Sequence, residues 1–214
     1  MELPKKKQKQ VVAPFVSLDN VDFTKSLLKK QVSTSPLVSG GTNFQTHVLK
    51  QSHNSIIRYN PSFGGILFVS IFFIVGLALV FFNFVNYKGL FSSPSISNFF
   101  TLAIGLVFSF AGAYIGFRLF KPRIFNKNLG YYYKAYKVKL NTKNCIALKS
   151  IVALQIIGES ISSKNGSYGS FELNLVLKDG LRTNVIDHGS LKSIISDAYV
   201  ISEFLNIPIW HAET

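Results

Sequence analysis

Ser62–Phe82 reads SFGGILFVSIFFIVGLALVFF, and Phe99–Phe117 reads FFTLAIGLVFSFAGAYIGF. Neither carries a charge, and the uncharged surroundings reach from Tyr59 to Tyr87 and from Gly89 to Phe117. About twenty helical residues at roughly 1.5 Å each span a hydrocarbon layer of about 30 Å. A pair of buried helices in a water-soluble protein fits less well, because core helices seldom run so long without a charge. The expectation is therefore a membrane hairpin, with transmembrane helices at 62–82 and 99–117 and an external loop at 83–98.

Charge sets the orientation. Residues 1–61 hold nine Lys and Arg against three acids, residues 118–214 hold thirteen against seven, and the connection has only Lys88. Arg118, Lys121, Arg123, Lys127, Lys134 and Lys137 follow the second span with no acid among them. Cytoplasmic flanks carry the Lys/Arg excess. Both ends are thus expected in the cytoplasm, on the inner (plasma) membrane of a bacterium. The partner this demands is the lipid bilayer, and Arg118, Lys121, Arg123 and Lys127 are candidate headgroup contacts as well as topology determinants.

The rest of the composition narrows the classes. Net charge is +13, yet only 15% of residues are charged, against about 25% in an average soluble domain. Lys5, Lys6, Lys7 and Lys9 stand in a polar start without any recognition helix, zinc pattern or RNA-binding motif, so no nucleic acid is expected. Attraction to anionic lipid accounts for such charges more simply. Cys145 is the single cysteine, which fits a reducing compartment and allows no internal disulfide. The apolar run begins too late and is too long for a cleavable signal, and no lipidation motif is present.

Along the chain, residues 1–40 read as a flexible basic arm and residues 41–61 as a short β-hairpin around Ser52-His53-Asn54. Residues 118–214 read as a cytoplasmic β-rich domain. Its strands are expected at Tyr131–Lys139, Cys145–Leu148, Ile151–Ser162, around Phe171–Leu177, and at Leu181–Asp187. Asn165-Gly166 and Asp179-Gly180 supply the turns. Phe171, Leu173, Leu175 and Leu177 alternate with polar residues, giving one buried face and one wet face. Ser190 caps a helix running to about Leu205, with an apolar stripe from Leu191 to Leu205. Phe117, Phe120, Phe125 and Tyr131–Tyr133 read as interfacial aromatics. The fold class is a membrane α-helical hairpin plus an α+β domain, an antiparallel sheet closed by one C-terminal helix.

Gly105, Ser109, Gly112 and Gly116 fall within an arc of about 60° on the second helix. A strip of small residues lets helix backbones approach closely in lipid. It can serve packing on the first helix, or self-association into a homo-oligomer.

An antiparallel sheet with one C-terminal helix, after a two-helix hairpin, resembles the bacterial membrane-anchored pleckstrin-homology-like proteins. FELNLVLKDGLRTNVIDHG, SLKSIISDAYVISEFLNIPIW and Gly40–His47 (GGTNFQTH) also resemble a group of uncharacterised bacterial two-transmembrane proteins, over roughly residues 40–210. Phe204, Leu205 and Pro208 are similar to the terminal helix of the two-helix photosystem I assembly factor of chloroplasts and cyanobacteria. These likenesses imply architecture and no activity. A pleckstrin-like barrel has seven strands, and five are expected after the membrane. The pre-membrane hairpin would complete the sheet and cover its edge, making the two helices an insertion within one domain.

No catalytic chemistry is visible. His47, His53, His188 and His211 lack metal-site spacing, and no phosphate-binding glycine loop occurs. Asp187 and His188 sit side by side near Ser190, but adjacent strand residues point to opposite faces. The spans contain no ionisable residue for an ion path. Asn83 and Asn86 are expected past the first helix. The function expected is non-enzymatic, needing no cofactor or metal. A membrane anchor would hold a domain that binds a partner protein or lipid headgroups, with Trp210 as a candidate partner surface or core plug. The alternative is an accessory or assembly subunit of a larger membrane complex.

Overall fold

The computed structural model describes residues 28–38, 40–85, 96–139, 142, 144–163 and 166–211. The first 27 residues of the arm, most of the connection after the first span, and Asn86, Asn141, Lys143 and Asn165 lie outside them. The fold is α+β, with two long apolar helices and two β-sheets.

Helix α1 is Phe63–Val85 and helix α2 is Ile96–Leu119. At 1.5 Å per residue both run about 35 Å, and both are long and apolar enough to cross a membrane. They reach past the expected 82 and beyond both ends of 99–117 because Phe84, Val85, Ile96 and Leu119 continue the apolar run. Asn83 therefore lies within α1, not past it. It is buried, and its Nδ2 donates to Leu79 O at 2.9 Å. The expected loop 83–98 shrinks accordingly.

The small-residue strip of α2 faces α1. A Cβ on Gly112 would lie 2.7 Å from Phe73 N, one on Gly105 would meet Leu79 and Val80 at 3.0 Å, and Gly116 sits against Val69. Gly76 of α1 lies against Ser109. The backbones approach closely there, as small residues permit.

The hairpin interrupts a sheet. Strands β1 (His47–His53), β2 (Ile56–Pro61), β3 (Arg123–Asn126), β4 (Tyr131–Lys134) and β5 (Cys145–Ala147) form a five-stranded antiparallel sheet in that order. Before the helical hairpin runs β2, and after it β3; they pair directly, with Ile57 opposite Phe125 and Tyr59 opposite Arg123. Phe125 and Tyr132, expected at the lipid interface, are instead fully buried with their rings 4.5 Å apart.

A 3-10 turn at Leu148–Ser150 separates the second sheet. It contains β6 (Ile151–Ser163), β7 (Gly166–Leu177), β8 (Arg182–His188) and the short β9 (Ile209–His211), ordered β8-β7-β6-β9. The single expected sheet is thus two, and β9 joins parallel to β6. Leu154 pairs with Leu175 and Ile156 with Leu173, and both pairs face the core. At Gly180 the turn takes φ 81°, the region that favours glycine.

Helix α3 (Leu191–Leu205) contacts the second sheet through Ile194, Ala198, Ile201 and Phe204. Ser190 accepts from Ser193 N as its N-cap, and Asn206 ends it at φ 55°. Both sheets and α3 share one core.

The arm is not wholly free. Val32 packs with Ala153, Val176 and Trp210 on the other face of the second sheet. Leu37 N donates to Glu172, Gln155 donates to Ser33 O, and Arg182 donates to Ser35 O. Trp210 is 3% exposed in this second cluster, and so offers no surface to a partner.

Gly112→Leu should force the helices apart and lower stability by roughly 1–3 kcal/mol. Gly64→Ala, whose Cβ position has no atom within 4 Å, should change little. Thermal melts in detergent distinguish the two.

Candidate functional site at the junction of hairpin and domain

Gln45, Thr46 and His47, which lead into β1, tie down both helix ends. Ser62 opens α1: its Oγ accepts from Gly65 N at 3.0 Å and donates to Gln45 O at 2.6 Å, while its N–H reaches Thr46 O. This is an N-cap, supplying an acceptor to a helix end that lacks one. At the other helix, His47 Nε2 lies 2.9 Å from Leu119 O. A carbonyl can only accept, so Nε2 carries the proton. The neutral ring's Nδ1 then accepts from Thr46 Oγ1 at 2.8 Å and Arg123 Nη1 at 3.0 Å. Burial and then the Arg123 charge hold the His47 pKa down to about 3. Tyr136 Oη donates to Phe117 O at 2.6 Å and lays its ring beside Phe117.

Residues paired across a sheet share a face. Tyr59, Arg123 and Lys134 are in one such row across β2, β3 and β4, and the next row inward is Ile57, Phe125, Tyr132 and Ile146. The face is therefore cationic and polar at the hairpin end and apolar further away. Burial, followed by the charge of Arg123, pushes Lys134 down to about 8. Burial also pulls Arg123 below the ordinary guanidinium value, though arginine stays protonated at neutral pH.

Further inside, His188 Nε2 meets Asp197 Oδ2 at 3.1 Å, the one contact within 4.0 Å between a carboxylate and a His, Lys or Arg among the described residues. Burial, and then the Asp197 carboxylate, raises Tyr59 well above a normal phenol, without completing a hydrogen bond of good geometry. Burial raises Tyr132 likewise. Tyr59 Oη, Tyr132 Oη, Arg123 Nε and His188 Nδ1 are buried and have no hydrogen-bond partner among the described residues.

Of the four sequence-derived headgroup candidates, three lie on the stretch that joins the end of α2 to the start of β3. Arg118 is exposed on the last turn of α2, its Nη1 donating to Tyr114 Oη at 3.2 Å. Lys121 and Arg123 are half-buried at the start of the first sheet's return. Lys127 stands apart, beyond the other end of β3, with its Nζ 4.4 Å from the centre of the Phe204 ring. The sequence reading missed the roles of His47, Tyr59 and Lys134. A cue was present in alternation: Arg123 and Phe125 put charge and aromatic ring on one face.

Asp187, His188 and Ser190 do not converge on one another. Asp187 bonds Asn184, His188 turns to Asp197, and Ser190 is committed to capping α3. Burial pushes the Cys145 thiol up. Among the described residues no His, Cys, Asp and Glu group could hold a metal ion. What the arrangement offers is positive charge and hydrogen-bond donors beside two helix ends. Compared with protein-family models, curated proteins and solved structures, the chain matches none.

A histidine with a depressed folded pKa is neutral in the native state and protonated when unfolded below its ordinary value. Its stabilising contribution is complete above about pH 6.5 and shrinks as pH falls toward 3. The stability advantage of the wild type over His47→Gln should therefore narrow as pH drops from 7 to 4.5, measured by denaturant unfolding at each pH.

Proposed function

We propose that the chain is a two-span integral membrane protein, non-enzymatic, whose hairpin holds a cytoplasmic binding domain against the bilayer surface. The observation that carries this is the exposure of the apolar helices. Only 17% and 11% of their most apolar windows are buried, and Ile74, Phe81, Phe84, Val107 and Phe110 are all more than 60% exposed. Water would not tolerate so large an apolar surface, whereas lipid solvates it. Lys and Arg crowd the domain end of the hairpin, which supports cytoplasmic ends and a bacterial inner membrane.

The capped helix ends favour a platform over a tether. Ser62 and His47 attach the helices to β1 and β2, and β2 pairs with β3. A domain fixed in this way presents the same face to the bilayer at all times, which suits a headgroup or membrane-partner binder. Two antiparallel sheets and a C-terminal helix around one core are compatible with a pleckstrin-homology-like relationship. Nine strands among the described residues, a parallel β9 and the helical insertion are departures from the seven-stranded pattern. The accessory-subunit reading draws less support, because the small-residue strip is occupied by α1 and docking would have to use the outer phenylalanine faces.

The test is membrane extraction combined with labelling in a Cys145→Ser background. The protein should stay with membranes after alkaline carbonate. Lys88→Cys should react with an impermeant maleimide from outside, and Lys178→Cys only from the cytosolic side. A carbonate-soluble protein, or Lys88→Cys reached only from the cytosol, would contradict the proposal.

A further inference from the structure

We propose that Arg123 and Lys134, with Lys121 and Arg118, form a binding site for a phosphate group at the membrane-side rim of the five-stranded sheet.

Arg123 and Lys134 are direct cross-strand partners on one face. Like charges so placed repel and destabilise a sheet, unless a counter-charge sits between them. Among the described residues no carboxylate lies within 4.0 Å of either cation, His188–Asp197 being the one such contact. Asp187 is a more distant counter-charge to both cations; on Lys134 it acts less strongly than Arg123 but more strongly than Lys121 or Arg118. Arg123 is only partly engaged, since Nη1 reaches the neutral His47 while Nε is buried and unpartnered. His47 cannot neutralise it. Lys134 also feels the charges of Lys121 and Arg118, though less than that of Asp187, and these two residues lead the chain from α2 into β3, so positive charge is concentrated at this end of the sheet.

A phosphate fits this place better than a carboxylate. It brings up to two charges and several acceptor oxygens, and the guanidinium fork is matched to it. The location agrees. Arg118 is on the last turn of α2 and Arg123 opens β3, so the cluster stands just outside the apolar helices, where a bilayer keeps its phosphates. The phosphate could belong to a lipid headgroup or be free in the cytoplasm. The lipid branch rests on the membrane reading above, and the free-anion branch does not.

The full chain is reconstituted in phosphatidylcholine nanodiscs, and its unfolding midpoint is followed by the fluorescence of Trp210, its single tryptophan. Two probes are compared at constant ionic strength: inorganic phosphate in solution, and discs doped with phosphatidic acid. At least one should raise the midpoint saturably. A response to phosphate assigns a free anion, and a response to phosphatidic acid alone assigns a headgroup. Arg123→Gln risks losing the fold, so Lys134→Gln is the decisive variant. It should weaken the apparent affinity about tenfold or more, as loss of a charged hydrogen bond does. Lys127→Gln, at the far end of β3, should bind as the wild type does. No response to either probe overturns the proposal, as does an equal loss in Lys127→Gln, which would indicate general charge attraction. A protein that inserts in the expected orientation yet ignores both probes refutes this site while leaving the membrane reading intact.

Discussion

The pairing of β2 with β3 is the constraint on which the rest of the structure depends. Tyr59 and Arg123 are neighbours in a ladder although both long helices lie between them in sequence. The helical hairpin occupies the place of a turn between two adjacent strands. Closing so long a loop would cost entropy if it were flexible, but two packed antiparallel helices return the chain close to where it left. Helix axes pack about 8–10 Å apart and neighbouring strands about 4.8 Å apart. The gap between those spacings is narrow because Gly76, Gly105 and Gly112 let the helices approach tightly. Ser62 and residues 120–122 take up what remains.

The same junction gathers the unusual chemistry. A helix leaves unpaired backbone groups at its ends. Here domain side chains supply the partners, Ser62 at the start of α1 and His47 at the end of α2. Using a neutral imidazole as the donor to Leu119 O leaves its other nitrogen free to hold Arg123. The guanidinium is thereby kept at the rim of the sheet, with Lys134 beside it. Anchoring the helices and concentrating positive charge are two results of one arrangement.

Much of this was legible in the sequence. The uncharged spans, the Asp179-Gly180 turn, the Phe171–Leu177 alternation and the Ser190-capped stripe each carry a strong local signal, and the structure has an element at each. The insertion of the hairpin within one sheet could be anticipated from strand count and the exposed edge. β3 could not be seen, because Arg-Ile-Phe-Asn is four residues long and reads equally as a basic, aromatic membrane flank. Only pairing with β2 makes it a strand and buries Phe125. β9 directly follows Pro208 and is three residues long, too short for a period, and its parallel pairing to β6 is a tertiary choice. The docked part of the arm was hidden for another reason. Apart from Leu28 and Val32 it is held through backbone groups, such as Ser33 O and Ser35 O, which composition does not reveal. The junction site was missed because His47 and Arg123 are distant in sequence and meet only through the ladder.

A cross-link in intact membranes tests the β2–β3 pairing most directly. Arg58 and Ile124 are opposite one another on the outward face of the first sheet. In a Cys145→Ser background, Arg58→Cys with Ile124→Cys should form a disulfide under mild oxidation, seen as a linked peptide by mass spectrometry. Lys50→Cys with Ile124→Cys, one strand further off, should not. Failure of the first pair to link, or equal linking of both, would mean that the strands on either side of the helices do not form one sheet.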